Sequence, residues 1–264
     1  MNIIDAIKER RSVRTFDGNG LSPERIAELE VVIAESNSPF GGNTSIKLKK
    51  FDIKEGYKPS TYGMIKGAED FFLLGIGNDE ASALSAGYRF EQVVLKAWQL
   101  GLGTCWIAAT FKGSDFDKGI TWDDGEDLKV ICPVGVAQKP SITEKLTRLT
   151  LGSKNRKPFD DLFFYNDFKT PVPENNQFRE ALEMLRLAPS DTNTQPWRAL
   201  VDGNTVHFYY KPKSPAAVLD LGIGICHFHE TEKLNGRNGD FFKINNVPTP
   251  LENWKYLISY TSNK

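Results

Sequence analysis

Apolar positions along the chain switch repeatedly between a helical and a strand period. Ile3, Ile4, Ala6 and Ile7 predict a short helix over residues 2–10, with 11–16 following as a loop or short strand. Ser22 and Pro23 form a helix start, an N-cap followed by Pro at the first helical position, and Ile26, Leu29, Val32 and Ile33 then mark one face as far as the turn cluster at 38–42. Residues 46–53 alternate as a strand does, and 70–77 form the continuous apolar run of a buried strand. Phe90, Val93, Val94, Ala97 and Trp98 give a helix over 86–100, stopped by Gly101-Leu102-Gly103. Residues 104–108 read as another strand. Residues 130–136 do too, with Pro133 marking an edge or a bend.

The pattern continues with a short helix or ordered loop at 141–149, a basic loop at 154–158, and a helix at 174–187 with Phe178, Ala181, Leu182 and Leu185 inward. A polar loop at 189–197 leads into a hairpin over 199–210 that turns at Asp202-Gly203-Asn204. A helix at 219–234 closes at Asn235-Gly236, and the segment from Val247 reads as a tail packing on the body through Trp254, Tyr256, Leu257 and Ile258. Part of this order occurs twice. Pro39-Phe40-Gly41-Gly42-Asn43-Thr44 aligns with Pro189-Ser190-Asp191-Thr192-Asn193-Thr194, and the helix from Gly87 to Gly101 aligns with the one from Gly222 to Gly236. The expectation is one unit over 1–264 built from two half-repeats, about 1–160 and 161–264. Its fold class is α+β, a central and mostly antiparallel sheet flanked by helices.

Composition narrows the functional classes. The 264 residues are 40% hydrophobic and 25% charged, enough for a sizeable core, and the net charge of −1 supplies no global field for nucleic acid or an anionic membrane. No run approaches the roughly 18 apolar residues of a membrane span, and the charged N-terminus lacks a signal-peptide core. Three cysteines without a C-x-x-C pair form no disulfide framework, so a cytoplasmic location is expected. Gly75-Ile76-Gly77 lacks the rest of a dinucleotide fingerprint. His227 and His229 do not share a helix face, so no metal is expected. Cys105 reads as a small core residue, and the acidic run at 123–127 as a solvated turn.

Two basic clusters remain. Arg10, Arg11 and Arg14 surround Ser12, and Lys154 with Arg156 form a second group far along the chain. Such clusters are usually solvated faces; their chemical use would be a phosphate, because planar guanidinium forks suit its oxygens. The loop Pro189-Ser190-Asp191-Thr192-Asn193-Thr194-Gln195-Pro196-Trp197 is rich in hydroxyls and amides and pinned by Pro at both ends. It reads either as a helix-terminal turn or as a rim of donors and acceptors around a polar ring.

Taken together these motifs resemble the nitroreductase family: R-R-S-x-R at 10–14, A-P-S-x-x-N-x-Q-P-W at 188–197, G-L-G-T at 101–104 and R-K-P at 156–158. In the usual family member two identical chains form the site. Here the arginine segment and the P-S-x-x-N loop lie in different halves of one chain, as in the single-chain branch whose fused halves imitate the dimer. The resemblance implies one FMN, with Arg10, Arg11, Ser12 and Arg14 at its phosphate and ring edge and Lys154 and Arg156 completing the phosphate clamp. It further implies Pro189, Ser190, Asp191 and Asn193 facing the ring and ribityl chain. Trp106, Ile107, Ala108 and Ala109 would run beside the isoalloxazine, where a backbone N–H could meet flavin N5. The implied function is reduction of a nitroaromatic, quinone or similar acceptor at the expense of NADH or NADPH, by a monomer that mimics the family dimer. The rivals are a flavin-binding protein without turnover and an acid–base hydrolase without flavin.

Overall fold

The computed structural model describes residues 1–53, 56–138, 155–250 and 252–263. Its fold class is α+β, as expected, but the strands form two sheets rather than one central sheet. In the first half, helices α1 (Ile3–Glu9) and α2 (Pro23–Glu35) precede strands β1 (Thr44–Lys50) and β2 (Asp70–Ile76). Helix α3 (Glu80–Gln99), the two-residue β3 (Gly103–Thr104), a short α4 (Gly113–Phe116) and β4 (Asp127–Gly135) follow. The second half holds β5 (Phe163–Tyr165), β6 (Asp167–Pro171), α5 (Arg179–Arg186), the hairpin β7 (Trp197–Asp202) and β8 (Thr205–Tyr210), α6 (Ala217–Leu234), β9 (Asn238–Phe242) and β10 (Lys255–Asn263).

The first sheet has the order β1-β2-β4-β3 and the second β6-β5-β7-β8-β10-β9. Every pairing is antiparallel except β5 with β7. Helices α3 and α6 cross in close backbone contact. A Cβ on Gly87 would lie 2.1 Å from the Leu219 carbonyl oxygen, and one on Gly222 would lie 2.3 Å from the Leu84 carbonyl oxygen. The contact is therefore reciprocal, each helix offering a glycine to a leucine carbonyl of the other. One hydrophobic cluster joins α1, α5, α6 and the second sheet, and a second joins α2, α3 and the first sheet.

Several sequence expectations are corrected. Helix α3 starts at Glu80 rather than 86, because the Asp79 side chain caps it by accepting the Ser82 N–H at 2.9 Å. The helix read over 174–187 is only Arg179–Arg186; Pro173–Asn176 turns first, with the Asn176 N–H on the Pro173 carbonyl. The strand read over 104–108 shrinks to Gly103–Thr104 and a lone bridge at Ile107. Pro133 does not mark an edge, since β4 has β2 on one side and β3 on the other. Ile131 exchanges both its backbone bonds with Ile107. Pro133, two residues on, turns its nitrogen to the same side, in the break between that bridge and the β3 ladder. The C-terminal tail is an interior strand of the second sheet, where Leu257, Ile258 and Tyr260 are buried. The reading at 141–149 lies outside the described residues.

Candidate functional site

The arginine segment leaves α1 at its C-cap, Arg10, whose N–H bonds the Ala6 carbonyl. It then runs beside β3: the Val13 N–H donates to the Thr104 carbonyl at 2.8 Å, and Ser12 bridges Thr104 in parallel. Gly103 permits this approach, because a Cβ there would meet the Val13 Cβ at 2.7 Å. The Arg10 side chain is only 5% exposed and lies 3.6 Å from the carboxylate of Glu91. Its Nε and Nη1, and Nε of Arg14, are buried without a hydrogen-bond partner among the described residues. Arg11 turns the other way, exposed, with its guanidinium 5.4 Å from the Trp98 ring centroid.

The basic loop reaches the polar loop. Arg156 donates from Nη1 to Asn193 Oδ1 at 3.2 Å and from Nη2 to the Leu187 carbonyl at 2.9 Å. Burial, with the like charges of Arg10 and Arg186 beside it, pushes Arg156 down to about 10. Arg10, Arg156 and Asn193, from three distant segments, are thus neighbours. Lys154 lies outside the described residues. Lys157 ties the same loops, its N–H donating to Gln195 Oε1 at 2.8 Å. Burial and nearby Arg198 lower its ammonium to about 8.

The polar loop is held in unusual backbone geometry, with positive φ at Thr192, Asn193 and Gln195. Its own side chains offset that strain: Ser190 Oγ accepts the Gln195 N–H at 2.9 Å, and Asp191 Oδ2 accepts from Ser214 Oγ at 2.7 Å. Ser190 and Asp191 therefore have structural partners within and beside the loop, and Pro189 is half-buried. On the opposite segment, Trp106 donates from Nε1 to Glu91 Oε2 at 2.9 Å. The Ile107 N–H is committed to the Ile131 carbonyl, so it is not available to a ring edge. Ala108 and Ala109 are exposed.

Sequence reasoning missed Glu91, His227 and Asp220 as members of this neighbourhood. Each is fully or almost fully buried. The available signal was a charged or titratable residue inside an otherwise apolar helix stretch.

Residues 2–231 match the family described as "Putative TM nitroreductase". The chain belongs to this nitroreductase family. Among solved structures it is similar to one described as a putative nitroreductase from Thermotoga maritima, 19% identical, covering 99% of this chain and 93% of that one with a TM-score of 0.61. It is also similar to a nitroreductase with bound FMN from Bacteroides fragilis, 14% identical over 54% of this chain and 91% of that one, TM-score 0.42. An FMN-dependent nitroreductase from Clostridium difficile is 16% identical over 52% and 89%, TM-score 0.43. No curated protein matches the chain in sequence. Among the described residues, no helix is long and apolar enough to cross a membrane, and no cluster of three or more His, Cys, Asp or Glu could hold a metal. All three cysteines are buried.

Asp220, on α6, holds the polar loop by its backbone. Its carboxyl accepts the Asp191 N–H on both oxygens, at 3.1 and 3.0 Å, and burial pushes it up to about 8. The unfolded chain ionises this group near 4, whereas the native chain keeps its proton. The stability it contributes is therefore complete below pH 4 and is lost as pH rises towards 8. Asp220→Asn should flatten that decline in urea titrations at pH 5, 7 and 9. An unchanged slope would show that Asp220 ionises in the native protein as it does in water.

Proposed function

We propose that this chain is an FMN-dependent oxidoreductase that takes reducing equivalents from NADH or NADPH and passes them to a nitroaromatic, quinone or similar acceptor. The observation that carries the reading is the convergence of Arg10 and Arg156 near Asn193, with buried guanidinium nitrogens of Arg10, and of Arg14 in the same segment, lacking a hydrogen-bond partner among the described residues. Buried, mutually repelling cations with unused donors fit a phosphate, which accepts charge-assisted bonds and relieves the repulsion. The absence of a dinucleotide fingerprint favours FMN over FAD.

Arg10, Arg14 and Arg156, with Lys154 from the basic loop, would hold the phosphate. Ser12, from the arginine segment, would stand beside them. Pro189, Ser190, Asp191 and Asn193 would face the ring and ribityl chain, fixed in place by the bonds to Gln195, Asp220 and Arg156. Trp106, Ala108 and Ala109 would flank the ring from the other half. Arg11, stacked on Trp98, is a rim residue in this reading. FMN supplies the hydride chemistry when bound, and the protein contributes orientation and electrostatics. No protein acid or base is required.

The reading also has the two halves close one site within a monomer, with one FMN per chain. Support comes from the shared strand order, β1-β2-β4-β3 in the first sheet and β7-β8-β10-β9 in the second, and from the reciprocal contact of α3 and α6. The register that pairs Gly87 with Gly222 pairs Trp106 with Phe241. Phe241 packs edge-on against Phe40 at 5.1 Å and lies 5.1 Å from Tyr260, so aromatic side chains fill the counterpart position. An isologous interface generates two equivalent sites; here one of them has been overwritten.

Stopped-flow mixing with NADH and with NADPH tests turnover. The flavin band should bleach within minutes with at least one of them and return on adding a nitroaromatic or quinone. A flavin that neither nucleotide reduces would leave a flavin-binding protein without turnover as the better account.

A further inference from the structure

Glu91 stands one turn beyond Gly87 on α3, and His227 just over one turn beyond Gly222 on α6, so the helix crossing brings them together. Both side chains are wholly buried. His227 Nδ1 lies 3.0 Å from the Met184 carbonyl oxygen, and Nε2 lies 2.9 Å from Glu91 Oε1. A carbonyl oxygen only accepts, so Nδ1 must carry a proton. The remaining nitrogen faces a carboxyl oxygen, and that contact is a hydrogen bond only if a proton lies between them. The pair therefore holds one proton more than a neutral imidazole beside a carboxylate. The other carboxylate oxygen already accepts from Trp106, and the Arg10 guanidinium lies 3.6 Å from the first. The Trp106 N–H and the positive charge of Arg10 complement a charged carboxylate, which puts the shared proton on the ring.

We propose that the Glu91–His227 pair, formed between α3 and α6, is a positioning device for the flavin site that orients Trp106 and keeps the Arg10 guanidinium beside it. The proposal rests on the FMN reading above, because Arg10 and Trp106 are its cofactor contacts. Folding alone gives little reason for the pair: burying two charges costs several kcal/mol each, and apolar replacements of similar volume often fold as well. The carboxylate instead acts on two residues from the arginine segment and the strand beside it, while His227 anchors it to the other half. Arg10 Nη1 is left without a hydrogen-bond partner among the described residues, available to a ligand.

The chain has three histidines, so the imidazole nitrogens can be read directly by 15N NMR on the apoprotein, with His227→Gln giving the assignment. Both nitrogens of His227 should carry protons at neutral pH, and only one in Glu91→Gln. A singly protonated ring in the parent protein would overturn the shared-proton pair. In FMN titrations, Glu91→Gln should bind about ten-fold more weakly and shift the visible bands of the bound flavin, the size expected for losing one charged contact. Should Glu91→Gln fail to fold, Trp106→Phe keeps a ring in place while removing its bond to Glu91, and it should shift the bands in the same direction. Folded variants with unchanged affinity and unchanged bands would overturn this inference alone. A parent protein that takes up no FMN would overturn the flavin reading and this inference with it.

Discussion

Gly87→Val should be the most damaging single substitution in the chain. A Cβ at this position would sit 2.1 Å from the Leu219 carbonyl oxygen and 3.0 Å from the Ile223 amide nitrogen, and both are backbone atoms of a buried helix that cannot rotate away. Helices α3 and α6 would have to separate, opening the hydrophobic clusters on either side. Overpacking of this kind costs about 3 kcal/mol or more, which for a chain this size corresponds to a fall in Tm of roughly 10 °C. The same crossing carries Glu91 and His227, so flavin content should fall with stability. Gly113→Ala is the control, since nothing lies within 4 Å of that position. Equal melting temperatures for Gly87→Val and the parent would mean that the two helices are not in backbone contact.

Arg14→Ala should leave the fold intact and weaken FMN binding by about 10- to 100-fold, the equivalent of one charged hydrogen bond of roughly 1.5–3 kcal/mol. The Arg14 Nε is buried with no hydrogen-bond partner among the described residues, so its removal breaks no protein bond there. Its backbone carbonyl still accepts the Lys66 N–H at 2.9 Å. Fluorescence titration of apoprotein with FMN reads the affinity, and circular dichroism reads the fold. Unchanged affinity would remove Arg14 from the site. A variant that melts much earlier would make Arg14 a structural residue instead.

The elements legible in the sequence were those whose signal is local. Ser22 and Pro23 start α2 where expected, the apolar run at 70–77 is β2, and Asp202-Gly203-Asn204 turns the β7–β8 hairpin. Family membership was legible too, because its motifs are contiguous strings of residues. What was not legible depends on partners distant along the chain. The strand β10 read as a packing tail because its alternation is weak; Ser259 is buried there, and its hydroxyl bonds His207 from the neighbouring strand. Glu91 has no signal of its partner within its own helix, because His227 lies far along the chain. The candidate site shows the same division. Arg10, Arg156 and Asn193 were named from motifs and are neighbours in space, whereas Glu91 beside Arg10 and Asp220 on the Asp191 N–H lie outside every motif.

The most direct test of this account is the flavin content of the purified protein. After heat release and chromatography, the flavin should be FMN, at one molecule per chain, from a protein that light scattering measures as a monomer. A colourless protein that takes up no FMN would contradict the cofactor reading. FAD alone, two flavins per chain, or an obligate dimer that loses FMN on dilution would contradict the single site closed by two halves of one chain.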